Sequence, residues 1–233
     1  MSMHWNNEAT TPLHEERLEA VLDAVRSCGA RRLLDLGCGD GDVLVRLALE
    51  PGLEHILGLD LDARCLEQVR LRLGPRVNKS ADSTLGSEAR SGTEPSTRRN
   101  SEQQRPSVEL LHGSLIDQDA ALLGFDCALL IETIEHIDPR DLAQVEQAIF
   151  ARMRPQTVVL TTPNAEYNPL LEVPWNRFRH PDHRFEWDRP RFQHWARGVA
   201  QRHGYGLRHR DIGGLHPLHG GASQMALFRR GLP

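Results

Sequence analysis

The stretch LLDLGCGDGD, residues 33–42, joins an apolar run to an amphipathic one through a turn with glycine at positions 37, 39 and 41. The flanking segments RRLLDLG and DVLVRLALE read as a short buried strand and a helix. The turn between them is therefore the strand-to-helix connection of a parallel sheet. Glycine at Gly37, Gly39 and Gly41 permits a tight turn and lets a ligand approach the backbone closely. The same alternation continues with HILGLDLD as a strand and ARCLEQVRLRLG as a helix. Upstream, in TPLHEERLEAVLDAVRSCGA, Leu18, Val21, Leu22 and Val25 recur at helical spacing and Gly29 closes the helix. Alternation of this kind predicts an α/β fold, a mostly parallel sheet with helices on both faces.

The pattern breaks once. Residues 76–107 are dominated by Ser, Arg, Glu, Gln, Thr and Pro and hold almost no large apolar side chain. Such a segment cannot bury enough surface to offset its ordering entropy, so it reads as a disordered insertion. The fold resumes with VELLHGSL, a short helix at DAALLG, the strand FDCALLIE, the helix DLAQVEQAIFARM and the strand TVVLTTP. An irregular stretch, NAEYNPLLEVPWNRFRHPDHRFEWD, precedes the helix RPRFQHWARGVAQRHG. YGLRHRDIG and SQMALFRR then close the chain as an antiparallel pair at the sheet edge. The organisation expected is a flexible N-terminus at 1–10 and a single domain over 11–233.

With 233 residues and a formal net charge of -4, the chain has no global attraction for nucleic acid, so any such contact must be local. No apolar run approaches the roughly 18 residues a membrane span needs. The N-terminus lacks the basic-then-apolar pattern of a secretory signal. Cys28, Cys38, Cys65 and Cys127 form no CxxC pair and read as free thiols of a reducing, cytoplasmic compartment.

Charge around the glycine turn narrows its ligand. Asp35 precedes the first glycine, and Asp40 and Asp42 lie within or beside the turn. A pyrophosphate would be repelled there; a ligand carrying an ammonium and a sulfonium would not. In GLDLD, Asp60 ends the second strand, where an acidic side chain accepts hydrogen bonds from ribose hydroxyls. HGSL at 112–115 places Ser114 where an adenine edge would lie. This order resembles the class I S-adenosylmethionine-dependent methyltransferases. The resemblance implies a Rossmann-like, seven-stranded sheet and cofactor contacts at Asp35, Gly37, Gly39, Asp60, Leu61, Ser114 and Leu115. The bland alternative is a glycine turn in some other α/β domain.

IETIEHI, residues 131–137, follows the apolar run CALLI and crowds Glu132, Glu135 and His136 into five positions. As the first turn of a helix, these spacings bring all three onto one face. A divalent ion between them is one reading; a solvated turn whose carboxylates favour a helix N-terminus is the other. His180 and His183, in RHPDHRFEW, offer a second source of imidazole. One of them reaching the Glu/Glu/His face would complete a mixed oxygen and nitrogen site for a divalent ion.

PLHEER, DLGCGDGD, HGSL, LLGFDCALLIETIEHI, TTPNAEYNP and DHRFEW together resemble the methyltransferase domain of the small-RNA 3′-terminal 2′-O-methyltransferases, from about Thr11 to Phe228. Carried over by position, the resemblance implies Glu132, Glu135, His136 and His183 as metal ligands and catalytic residues. His180 falls outside the DH[KR]FEW segment and is not part of that set. Phe185 and Trp187 are expected to pack the lid. Arg177, Arg179 and Arg184 are candidate phosphate contacts, with a solvated loop as the alternative for each. The implied cofactors are S-adenosyl-L-methionine and one divalent ion, Mg²⁺ or Mn²⁺. The implied partners are the 3′ end of a small single-stranded RNA or small RNA duplex and an Argonaute/Piwi-type protein, with no membrane and a monomeric state. A metal-independent small-molecule methyltransferase and an inactive module that binds RNA ends stand as alternatives.

Overall fold

The structure, a computed structural model, describes residues 11–77, 105–117 and 119–231. Most of the expected insertion, 78–104, and the N-terminal segment 1–10 lie outside the described residues. Ser107, read from sequence as the end of that insertion, instead opens a strand. Its N–H donates to the Glu54 carbonyl at 2.9 Å and it pairs with His55.

Among the described residues, β1 (Arg32–Leu36), β2 (His55–Asp60), β3 (Ser107–His112), β4 (Cys127–Ile131), β5 (Thr157–Pro163), β6 (Tyr205–Ile212) and β7 (Ser223–Arg230) form one sheet. Its order is β3-β2-β1-β4-β5-β7-β6. All neighbours pair in parallel except β7, which runs antiparallel to both β5 and β6. The closing antiparallel pair is present, but β7 is internal and only β6 forms the edge.

Side chains alternate across the sheet, and the two faces bury separate apolar clusters. On one face Leu33, Ile56 and Val108 pack beneath α1 (Pro12–Cys28), α2 (Asp42–Leu47) and α3 (Ala63–Leu73). On the other, Leu34, Leu36, Val158 and Phe228 pack against α4 (Leu142–Glu146), its continuation Gln147–Met153, and α5 (Arg189–His203). Each fully buried Leu or Phe contributes roughly 1.5–3 kcal/mol of apolar burial. This doubly covered sheet is the architecture expected from the alternation of elements.

Local signals set the helix ends. Thr11 caps α1 by accepting from the His14 N–H, Pro12 sits in the first turn, and Gly29 closes the helix at φ 66°. The segment IETIEHI departs from expectation. Ile134–His136 is a single 3₁₀ turn, and the α-helix begins only at Leu142. Two features prevent a continuous helix. Glu132 adopts a left-handed backbone, φ 51°, and Pro139 disfavours helical geometry at Asp138. DAALLG likewise yields only a 3₁₀ turn, Ala120–Leu122, while Ala165–Leu171 in the supposedly irregular lid is 3₁₀. No helix among the described residues is long and apolar enough to cross a membrane.

Candidate active site

The order of strands reverses between β1 and β4, and a cleft of about 780 Å³ opens at their carboxyl ends. Gly37, Gly39, Asp60, Leu61, Ser114 and Leu115 line one part of it; Glu132, Thr133 and His136 line another. Gly37 is required twice over. Its φ is 84°, and a Cβ there would sit 2.6 Å from Cγ2 of Thr133. The N–H groups of Gly37 and Cys38 both donate to the Leu59 carbonyl, at 2.8 and 3.0 Å, which folds the turn back onto β2.

Asp60 holds the turn together. Its Oδ2 accepts from the Gly39 N–H and its Oδ1 from the Asp62 N–H, both at 2.8 Å. Each oxygen retains a lone pair that can accept from a ribose hydroxyl. Asp117 performs a similar task for the turn after β3, accepting from the Ser114 N–H at 2.8 Å. Asp35 does not line the cleft itself. It is 1% exposed, Oδ2 has no hydrogen-bond partner, and burial, then the nearby Asp60, raises its carboxyl to about 7.

At the end of β4 the two glutamates point to different partners. Oε2 of Glu132 lies 3.4 Å from the Arg17 guanidinium of α1. Glu135 is 0% exposed; its Oε2 accepts from the Thr162 hydroxyl at 3.0 Å. Burial, and then the charge of Glu132, pushes the Glu135 carboxyl well above its ordinary value. Oε1 of each glutamate is buried without a hydrogen-bond partner. Two open carboxylate oxygens in a low-dielectric turn form a donor set suited to a cation.

The imidazoles gather beside them. Ring nitrogens of His136, His180 and His183 lie within 4.8 Å of one another, and the glutamates fall outside that set. Burial, then the proximity of His183 and His180, lowers the affinity of His136 for a proton. Nδ1 of His183 pairs with Oε1 of Glu186 at 2.6 Å, which leaves Nε2 as the nitrogen with the free lone pair. Burial pushes the Glu186 carboxyl up. Hydrogen bonds from His183, Asn168 and the Arg179 N–H outweigh it and hold the group below its ordinary value. The lid is pinned to the carboxylate turn by the Arg184 N–H, which donates to the Glu135 carbonyl at 2.7 Å.

A methyltransferase-domain family model matches residues 13–211 of the chain. The methyltransferase domain of bacterial CtHen1 superposes with a TM-score of 0.75 at 35% identity, covering 94% of this chain and 100% of that one. The chain belongs to the small RNA 2′-O-methyltransferase family. The small RNA 2′-O-methyltransferase of Rattus norvegicus is 35% identical over 87% of this chain and 46% of that protein. A crystal structure of the small RNA methyltransferase HEN1 gives a TM-score of 0.76 at 28% identity, covering 98% of this chain and 28% of that chain. This family member thus has the class I S-adenosylmethionine-dependent methyltransferase fold. It spans about half the length of the curated animal relatives it matches.

In this family member several site features are not legible in the sequence. Arg17, in PLHEER, supplies the counter-charge to Glu132, and Glu186, in DHRFEW, orients His183. Both lay within motifs already singled out, but their partners are far away in sequence or hidden in a turn. Arg179 corrects an expectation. It is not presented to a phosphate, because its guanidinium is spent inside the lid on Asn168 Oδ1 and the carbonyls of Ala222 and Asn164. Arg177 and Arg184 are exposed. Phe185 and Trp187 are buried, their rings stacked 4.3 Å apart, as a lid-packing role requires.

Proposed function

We propose that the chain transfers the methyl group of S-adenosylmethionine to the 2′-oxygen of the 3′-terminal ribose of a small RNA, with a divalent ion held at the Glu132, Glu135, His136 and His183 face. The observation that carries this reading is the pair of buried, open carboxylate oxygens on Glu132 and Glu135, in the same short turn as His136, which lines the cleft and clusters with His180 and His183. The printed names of the relatives, and the match across the domain, support small RNA as the substrate class.

A divalent ion held by these residues would supply Lewis acidity to the adjacent 2′- and 3′-hydroxyls of a terminal ribose. The chain's own residues do the rest. Glu132, and Glu135 once a cation offsets the burial that keeps it protonated, would provide negative charge, and Arg17 steadies Glu132 from α1. Glu186 holds Nδ1 of His183 and so leaves its Nε2 lone pair free for an ion. His136, with its protonation disfavoured by burial and by its neighbours, keeps its one lone pair available to the ion, and the 2′-hydroxyl, made more acidic beside that charge, would lose its proton to solvent. The 2′-oxygen then attacks the methyl carbon as the carbon–sulfur bond breaks, releasing S-adenosylhomocysteine. An internal nucleotide has its 3′-oxygen esterified and cannot present both hydroxyls, which restricts the reaction to a strand end.

The test is transfer of labelled methyl to a short RNA with Mn²⁺, with Mg²⁺ and in EDTA. Turnover is expected with an ion and on a free 3′ end only. Undiminished transfer in EDTA, or transfer to RNA ending in a 3′-phosphate or 2′-deoxyribose, would contradict the reading.

A further inference from the structure

We propose that His14 is a positioning residue for this reaction: it bridges Asp42 to Arg17 and thereby holds the Arg17 guanidinium against Glu132. The inference rests on the proposed function in one respect, that Glu132 belongs to the working site.

The geometry begins on α1. His14 and Arg17 stand three residues apart in its first turns, a spacing that sets both side chains on one face. Nη2 of Arg17 lies 2.7 Å from Nδ1 of His14, while Nη1 lies 3.4 Å from Oε2 of Glu132 and 3.5 Å from the Ser223 hydroxyl. The closest of these contacts is to the imidazole, not to the carboxylate. A guanidinium can only donate, so Nδ1 accepts and the neutral ring carries its proton on Nε2. Nε2 lies 3.2 Å from Oδ2 of Asp42. That approach falls short of hydrogen-bond geometry and acts as a ring dipole against a carboxylate.

Asp42 is fixed in turn. Its Oδ1 accepts from Nη2 of Arg72 at 2.6 Å, and it opens α2 directly after Gly41, the end of the glycine turn whose Gly37 and Gly39 line the cleft. His14 therefore joins the turn on one side of the cleft to the arginine that meets the other. The side chains of His14 and Arg17 are 23% and 21% exposed, so water competes weakly for these contacts. Burial, and then the Arg17 charge, lowers the affinity of His14 for a proton, which keeps the Nδ1 lone pair available. Among the described residues Glu132 makes one ion pair, with Arg17, and its Oε1 has no hydrogen-bond partner. The direction of that carboxylate thus depends on an arginine whose own direction is set by His14.

The experiment measures methyl transfer to a short RNA by wild type, His14→Phe, His14→Gln, Arg17→Ala and the His14→Phe/Arg17→Ala double variant, with S-adenosylhomocysteine affinity alongside. His14→Phe is expected to lower kcat about tenfold while S-adenosylhomocysteine affinity stays within about twofold of wild type. His14→Gln, whose amide offers both an acceptor and a donor, should recover most of that loss. The double variant should be no slower than Arg17→Ala, because residues that act as a unit are not additive. A His14→Phe kcat equal to wild type, losses that multiply in the double variant, or a His14→Gln kcat no higher than that of His14→Phe would overturn the inference. The ring tautomer is read without substrate, by ¹H–¹⁵N correlation spectroscopy of the full chain. A proton on Nε2 of His14 supports the bridge, and a proton on Nδ1 overturns it. If wild type carries the Nε2 proton yet methylates no RNA, the proposed function fails while the His14–Arg17 contact stands.

Discussion

The main-chain N–H of Arg184 donates to the main-chain carbonyl of Glu135 at 2.7 Å, joining the lid to the turn after β4. With the Arg179 contacts to Asn164 and Ala222, this bond helps to fix the lid segment that carries His180 and His183. Because the bond is made by backbone, substitutions at 184 separate two roles. Arg184→Ala keeps the N–H and removes only an exposed charge, so its effect should appear as a KM increase of about two- to tenfold for RNA. Arg184→Pro removes the donor and should lower kcat by about tenfold or more. Steady-state kinetics on a short RNA separates them.

Glu186 acts through His183. Glu186→Gln keeps the shape of the side chain but loses the charge that fixes the Nδ1 proton of His183. Affinity for Mn²⁺ should fall about 10- to 100-fold, the usual effect of losing a residue that orients a metal-bound imidazole. Electron paramagnetic resonance of free Mn²⁺ during titration measures it directly. Unchanged affinity would remove His183 from the ligand set.

Glu132→Ala and His183→Ala should each abolish methyl transfer while S-adenosylmethionine affinity stays near wild type. Asp60 and Ser114, proposed to meet the cofactor, line the cleft from the ends of other strands. Equilibrium binding of the cofactor alongside the transfer assay tests both halves of the statement.

Asp35 predicts opposite pH trends for stability and for cofactor affinity. Burial, then Asp60, raises its carboxyl from 3.8 to about 7 in the folded protein. The stability this group contributes is fully present below about pH 4 and is lost as pH rises through about 7. Without cofactor, Tm should therefore decline between pH 6 and pH 8. Cofactor cations favour the ionised carboxylate, so affinity should weaken as pH falls below about 7, approaching tenfold per unit. Asp35→Asn should remove both trends, raise Tm by about 2–4 °C at pH 8, and weaken cofactor binding.

Gly37→Ala places a Cβ 2.6 Å from Thr133 Cγ2 at a left-handed φ of 84°. The cost should be about 2–4 kcal/mol of stability, from contact and backbone strain together. Adding Thr133→Ser removes the methyl group and should recover part of it, leaving the backbone term. A double-mutant cycle by urea denaturation shows whether the two residues couple as the contact requires.

Much of the fold was legible because its signals are local. The strand–helix alternation, the glycines of LLDLGCGDGD and the acidic end of β2 each follow from a few adjacent residues, and the sheet places all of them at the same edge. The helix read into IETIEHI was not legible correctly. Its spacing suits a helix, yet the left-handed backbone at Glu132 and the proline at 139 stop one from forming. Periodicity carries no information about that competition.

The sequence by itself determined the doubly wound sheet, the cofactor turn and the residue types around the reactive end of β4, since these depend on apolar periodicity, glycine and charge over short spans. Only the tertiary structure decided which side chains meet. It brought His180 to His136 across 44 positions, set Arg17 against Glu132, and drew Arg179 inside the lid. Those pairings depend on how a parallel sheet returns distant loops to one edge, and the loops themselves carry no periodic signal to say where they will land.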